Sequence, residues 1–331
     1  MRRNTILLAL LLAALAGYYY FFELGKSDTK ANEKLINLKP EDATGVALDY
    51  QGRAIVLRKD PQTNKWRLAA PLQAPADDAA VDGLLATLSS VAIKRTLEKL
   101  PSETVLKNYG LEPPAVTVSV TLKSGLTLPS LTVGTKTALG DSTYAQRSAD
   151  PAVYLVDGSL GDALAREPEE LRDKSVLPLP QEPIARLEIA ADGKPIVLTK
   201  DEKEQWKIEA PVSAPANAQA VNRYIFDLAR LQARSFIDNP PDARKYGMDK
   251  PALKVTLGGA GGKTLASVEA GRSGNAWFAR REGDTTIFAI DENSYKTLLK
   301  QPEDFKAEEK KPEEKKAEEK KEEKKAEKKA K

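Results

Sequence analysis

The chain of 331 residues contains neither cysteine nor histidine. Without cysteine there is no disulfide, no thiolate nucleophile and no thiolate-bound metal. Without histidine the commonest general base and the commonest transition-metal ligand are also gone. Ser-His-Asp catalysis, Cys-His catalysis and His-ligated zinc are impossible within this chain. Aromatic residues make up only 6%. Net charge is small as well, +3 at neutral pH, and its basic excess sits at the two ends. The near-neutral body mixes both signs, so nothing in it has the footprint of a nucleic-acid binder. What is present suffices for cores: 41% of residues are hydrophobic, and the length suits two domains of roughly 150 residues each.

The amino-terminal stretch carries Arg2 and Arg3, then an uncharged run from Thr5 to Phe22. As a helix that run reaches about 27 Å, enough for a hydrocarbon core. The arginines place its start in the cytoplasm, and the aromatic cluster from Tyr18 to Phe22 suits the far interface. Cleavage after Ala14-Leu15-Ala16 is the competing reading. It would leave Gly17 and five aromatics exposed on a soluble protein, so a retained signal-anchor is expected, with the body outside the cytoplasm.

Beyond the anchor the chain repeats itself. Trp66 to Val81, WRLAAPLQAPADDAAV, returns as Trp206 to Val221, WKIEAPVSAPANAQAV, with the tryptophan, both prolines and the closing valine in register. A repeat of this length means two copies of one structural unit. Before each tryptophan two short strands flank Gln51-Gly52 or Asp192-Gly193, the latter a hairpin dipeptide. Pro71 and Pro75, like Pro211 and Pro215, cannot donate to a ladder, so the sheet is expected to stop there. Apolar residues at helical spacing then predict helices over 76–91 and 216–231, with Val81, Leu84, Leu85, Leu88 and Val91 on one face. Tyr109-Gly110-Leu111 and Tyr246-Gly247-Met248 precede alternating strands, and a short helix closes each unit. The expected class is α+β: two tandem units of short antiparallel strands, each with one main and one short helix, plus the transmembrane helix. The divisions are 1–26 stub and anchor, 27–44 linker, 45–174 first unit, 175–183 proline-rich junction, 184–306 second unit and 307–331 tail. The tail is Lys and Glu almost throughout and offers no apolar stripe to bury, which reads as a solvated extension.

No motif points to chemistry. Gly258 to Thr264 imitates a phosphate loop, but Leu257 stands where the pattern needs glycine, and strands flank it where a helix should follow. The turn reading wins. Lys59/Lys200, Asp60/Asp201, Arg147/Arg281 and Asp157/Asp291 recur in both copies as isolated residues at turns and strand ends, where solvated structural roles explain them. No catalytic, metal or cofactor residue is assigned. The residues singled out for structure or interaction are Trp66, Pro71, Pro75, Tyr109, Trp206, Pro211, Pro215 and Tyr246. For the tryptophans, core packing over the proline turn competes with a surface role toward a partner.

The anchor, the tandem Trp…Pro…Pro-helix units, Tyr-Gly-Leu before a proline and the inter-unit Leu171-Arg172-Asp173-Lys174 together resemble the bacterial family called domain of unknown function 4340. The resemblance covers nearly everything from Arg2 to Phe305. It implies an envelope protein encoded beside ABC-type transporter components of the gliding-motility kind, and it brings no catalytic residue to carry over. The expectation is a single-pass inner-membrane protein whose body faces the periplasm. That body would bind or scaffold an ABC-type transporter complex. An envelope glycan hydrolase working through carboxylates and a purely structural spacer are the alternatives.

Overall fold

The computed structural model describes residues 33–191 and 194–307. The expected anchor, the Asp192-Gly193 turn and the tail from 308 onward lie outside these residues. No helix among the described residues is long and apolar enough to cross a membrane. The chain divides between Asp173 and Lys174 into two compact units.

The first unit begins with β1 (Ala43–Tyr50), β2 (Arg53–Lys59), β3 (Trp66–Ala70) and β4 (Ala74–Pro75), followed by helix α1 (Asp78–Ser90). Next come β5 (Ile93–Glu98), α2 (Glu103–Asn108), β6 (Val116–Leu122) and β7 (Leu131–Lys136). It ends with β8 (Ser142–Arg147), β9 (Asp150–Asp157) and α3 (Ser159–Leu164). The second unit opens with β10 (Arg186–Ala191), β11 (Lys194–Lys200), β12 (Trp206–Ala210), β13 (Ala214–Pro215) and α4 (Ala218–Ala229). It continues with β14 (Ser235–Ile237), β15 (Leu253–Gly258), β16 (Thr264–Ser273), β17 (Ala276–Arg281), β18 (Ile287–Ile290) and α5 (Glu292–Leu298).

Among the described residues each unit forms one nine-stranded sheet. The strand orders are β4-β3-β2-β1-β6-β7-β8-β9-β5 and β13-β12-β11-β10-β15-β16-β17-β18-β14, the same path twice. Tandem units and antiparallel pairing are as the sequence implies, but the balance is mostly β rather than α+β. Two features tip it. Pro75 and Pro215 do not end the sheet: they sit in short edge strands opposite Arg67 and Lys207, where a missing N–H faces outward and costs nothing. Ile93–Glu98 and Ser235–Ile237, which show no clean alternation, pair as the opposite edges against β9 and β18.

Burial explains why one face of each sheet is apolar. Val46, Leu48, Ile55, Leu57, Leu68, Val118 and Val120 alternate along their strands and are all nearly inaccessible. Val81, Leu84, Leu85 and Leu88 of α1 complete that core. Both main helices start two residues later than the spacing suggests, because a capping side chain fixes the start. Asp77 accepts from the Ala80 amide at 3.1 Å, and Asn217 accepts from the Gln219 and Ala220 amides at 3.0 and 3.2 Å. Such caps contribute about 1 kcal/mol each.

Part of what reads as linker is core. Leu35, Ile36 and Leu38 are buried, and the Leu35 amide donates to the Val91 carbonyl at 2.9 Å. The counterpart in the second unit is the start of the proline-rich junction. There Val176 and Leu177 are buried, and the Val176 amide donates to Leu231 at 2.9 Å. Each unit is closed at its other end by a clasp on the proline edge. Asp77 N–H donates to Leu171 O and Asp173 N–H to Pro75 O, while Asn217 donates to Phe305 and Ala307 to Pro215.

The Tyr-Gly turns need their glycines. Gly110 and Gly247 adopt φ of 65° and 74°, and the turn backbone lies against a second glycine. A Cβ on Gly134 would collide with the Tyr109 carbonyl oxygen, and one on Gly271 with that of Gly247. Gly83, in the exposed middle of α1, has nothing near its missing Cβ. Gly134→Ala and Gly271→Ala should therefore each cost about 1–3 kcal/mol through overpacking. Gly83→Ala should add about 0.5–1 kcal/mol, the comparison being made by urea unfolding.

Asp157 gives a pH test. Its carboxylate accepts from the Ser159 amide at 3.0 Å and pairs with Lys94 at 3.1 Å, tying edge strand β5 to the start of α3. These contacts, the Ser159 hydrogen bonds first, lower its pKa to about 2. A depressed carboxyl stabilises the fold above its ordinary pKa and loses that contribution as pH falls through the folded value. The side chain is 52% exposed, so screening leaves less than about 1 kcal/mol. Asp157→Asn should lower stability to urea at neutral pH, and the deficit should vanish as pH drops toward about 2.

Candidate functional site

The residues singled out in the sequence are mostly committed to the fold. Trp66 and Trp206 are 2% and 5% exposed, so they are core and not surface anchors. Lys59 and Lys200 lie over their rings at 5.4 and 5.6 Å, a cation–π contact made in both units. Trp66 is further held by Asp78, which accepts from its amide at 2.8 Å, and by Asp82, which accepts from its indole at 3.3 Å. Pro71, Pro75, Pro211 and Pro215 are exposed along the edge hairpins. Tyr109 stacks on Tyr144 with centroids 4.1 Å apart, and Tyr246 meets Phe278 edge-on at 5.0 Å. Trp277, which has no equivalent in the first unit, stacks on Tyr295.

The recurring polar residues are equally occupied. Asp60 accepts from the Gln62 and Thr63 amides, and Asp201 from those of Lys203 and Gln205. Arg234 pairs with Asp291 at 3.8 Å as Lys94 does with Asp157. Arg147 bonds Asp150 and the Tyr154 hydroxyl, and its guanidinium lies over the Tyr154 ring at 4.7 Å. Arg281 repeats this against Asp284 and Phe288. In each case the Nε is buried without a hydrogen-bond partner. A cleft of ≈ 330 Å³ opens beside Arg147 under Leu35, Ile36 and Leu131, but Asp150 and Glu33 already neutralise that guanidinium.

A glycosidase acid needs a carboxyl held above its ordinary pKa. The carboxyls that depart here are displaced the other way. Backbone amides lower Asp60 and Asp201, the Tyr154 hydroxyl lowers Asp150, and Ser294 lowers Asp291. Among the described residues no group of three or more acidic side chains could hold a metal ion. The phosphate-loop look-alike is the turn joining β15 to β16, closed by Gly259 N–H to Lys263 O at 2.8 Å.

The two units part company on the solvent-facing side of their sheets. In the second unit this face is laced with ion pairs. Glu209 lies 3.6 Å from both Lys207 and Arg186, and Arg186 meets Glu188 at 3.1 Å. Glu269 takes Lys254 at 3.6 Å and Arg280 at 3.1 Å, in a row of directly opposed residues. Gly45, Ala47, Thr117, Thr132 and Gln146 occupy the matching positions of Arg186, Glu188, Lys254, Glu269 and Arg280. The first unit's face is thus small-residue and hydroxyl-rich, with its positive charge gathered at one end. There Arg58 and Arg67 stand directly opposite each other and line a surface cleft of ≈ 280 Å³ with Asp60, Pro61, Ala69 and Gln73. No sequence pattern marked this site, because the pairing of Arg58 with Arg67 depends on strand register.

No curated protein and no solved structure matched the chain. A family model described as domain of unknown function (DUF4340) matches residues 66–237 and again 206–316. Each match starts at one of the two repeat tryptophans, and together they cover more than half of the sequence. The repeated units and the match agree, and the chain belongs to the DUF4340 family.

Proposed function

We infer that this protein is a membrane-anchored binding or scaffolding component working outside the cytoplasm, with an ABC-type transporter complex as its partner. The observation that carries the reading is the division of labour between the units. Polar residues that both units repeat are spent on caps, turns and ion pairs, while the exposed sheet faces differ in charge and side-chain size. A duplicated fold that keeps its interior and varies one face is built for contact, not for turnover. The anchor rests on Arg2, Arg3 and the Thr5–Phe22 run, and the partner on the resemblance described above.

Two measurements test this. The full-length protein should stay in the membrane pellet after alkaline carbonate extraction, and a variant with 1–26 replaced by a cleavable secretory signal peptide should appear in the soluble extracytoplasmic fraction. Recovery of the intact chain in the wash would overturn the anchor. Crosslinking in native membranes should then return the same transporter subunit reproducibly. Its absence across replicates would remove the partner assignment.

A further inference from the structure

Two like charges placed opposite each other on neighbouring strands destabilise a sheet. Arg58 and Arg67 are such a pair, and among the described residues neither guanidinium has an ion-pair partner. The irregularity that sets this register, between Val56 and Leu57, recurs between Val197 and Leu198, but the second unit carries Thr199 opposite Lys207. There Glu209 stands beside the lysine. The first unit has Ala69 in the place of Glu209. So the same backbone supports an ion-paired arrangement in one unit and one without an ion pair in the other.

The nearby charges offset the pair only in part, through Asp60 acting on Arg67. Lys59 is turned over the Trp66 ring, and Lys65 is paired with Asp78 at 2.7 Å. Asp60 is the one carboxylate lining the cleft, and its Oδ1 is taken by two backbone amides. Two exposed guanidinium groups over a cleft are matched to oxyanions, which each can hold through paired N–H donors. Asp60 offsets one of the two guanidinium charges, leaving about one positive charge in the cleft, which a single carboxylate balances. Across the neighbouring strands from Arg58 lie Gly45 and Thr121, whose small size lets a chain segment approach closely.

We propose that the Arg58–Arg67 cleft is a docking site for an acidic, carboxylate-bearing segment of a partner protein. The partner rests on the binding reading above, but the site can be tested without any transporter.

The probe is a labelled hexaglutamate peptide titrated by anisotropy into the full-length protein in detergent at low ionic strength. Arg58→Thr with Arg67→Gln should weaken binding about tenfold or more. Lys207→Gln, the equivalent change in the second unit, should leave it within about twofold. Inorganic phosphate at equal concentration should fail to displace the peptide. Folding has its own readout. Arg58→Thr alone should raise Tm at low salt, the gain shrinking as salt screens the repulsion, and saturating peptide should raise Tm in the wild type but not in the double variant. Unchanged peptide affinity in the double variant, or displacement by phosphate, would overturn the proposal. If the peptide result holds while crosslinking returns no transporter subunit, the site stands and only the partner assignment falls.

Discussion

The structure hangs on one buried indole in each unit. Trp66 sits where three parts of the chain meet: the edge hairpin, the start of the main helix and the closing segment. Its carbonyl accepts from the Ala76 amide, its amide donates to Asp78, the Pro75 carbonyl accepts from the Asp173 amide, and the Asp77 amide donates to the Leu171 carbonyl. Trp206 repeats the carbonyl contact with Ala216, and Phe305 takes the place of Leu171. Emptying such a site removes about 3–5 kcal/mol, comparable to a large share of a domain's stability. It would also free both ends of the sheet edge. The lysine over each ring adds a cation–π contact to the apolar packing that buries the indole.

A nine-stranded open sheet has two edges, and exposed edges invite pairing with other chains. Here each edge is handled differently. The proline edge is two residues long and covered by the closing segment, which satisfies Pro75 and Pro215 carbonyls that would otherwise point to solvent. The opposite edge of the first unit carries Lys94 and Arg95 and is broken by register shifts. In the second unit it is only three residues long. The proline-edge clasp is built alike in both units. These protections leave the flat outer face as the place where sequence can vary without harm to the fold.

Much of this was legible before any coordinates. The Trp-Pro-Pro spacing marked the duplication, and Val81, Leu84, Leu85 and Leu88 marked the first helix, because period alone encodes which face is buried. What stayed hidden depends on distant partners. The strand Ile93–Glu98, with Lys94, Arg95 and Glu98 in six residues, gains its strand character from β9. Leu35 and Val176 look like linker residues until the turn after the main helix supplies their hydrogen bonds. Pro75 looks like a terminator unless its position at an edge is known. The arginine pair was invisible for the same reason, since eight intervening residues and a bulge decide which side chains face each other.

That pair also shows why stability and function point in different directions on this face. Each exposed ion pair of the second unit contributes little alone, at most about 1 kcal/mol, yet together they leave no strong field for a ligand to find. The first unit gives up even that modest gain and keeps a positive field, only partly offset by Asp60, at one end of a smooth surface. Tolerated repulsion of this kind is a feature of sites that become neutral when occupied. A carboxylate arriving between Arg58 and Arg67 would supply the negative charge that Glu209 supplies beside Lys207, so binding would complete in the first unit a pattern the second unit completes by itself.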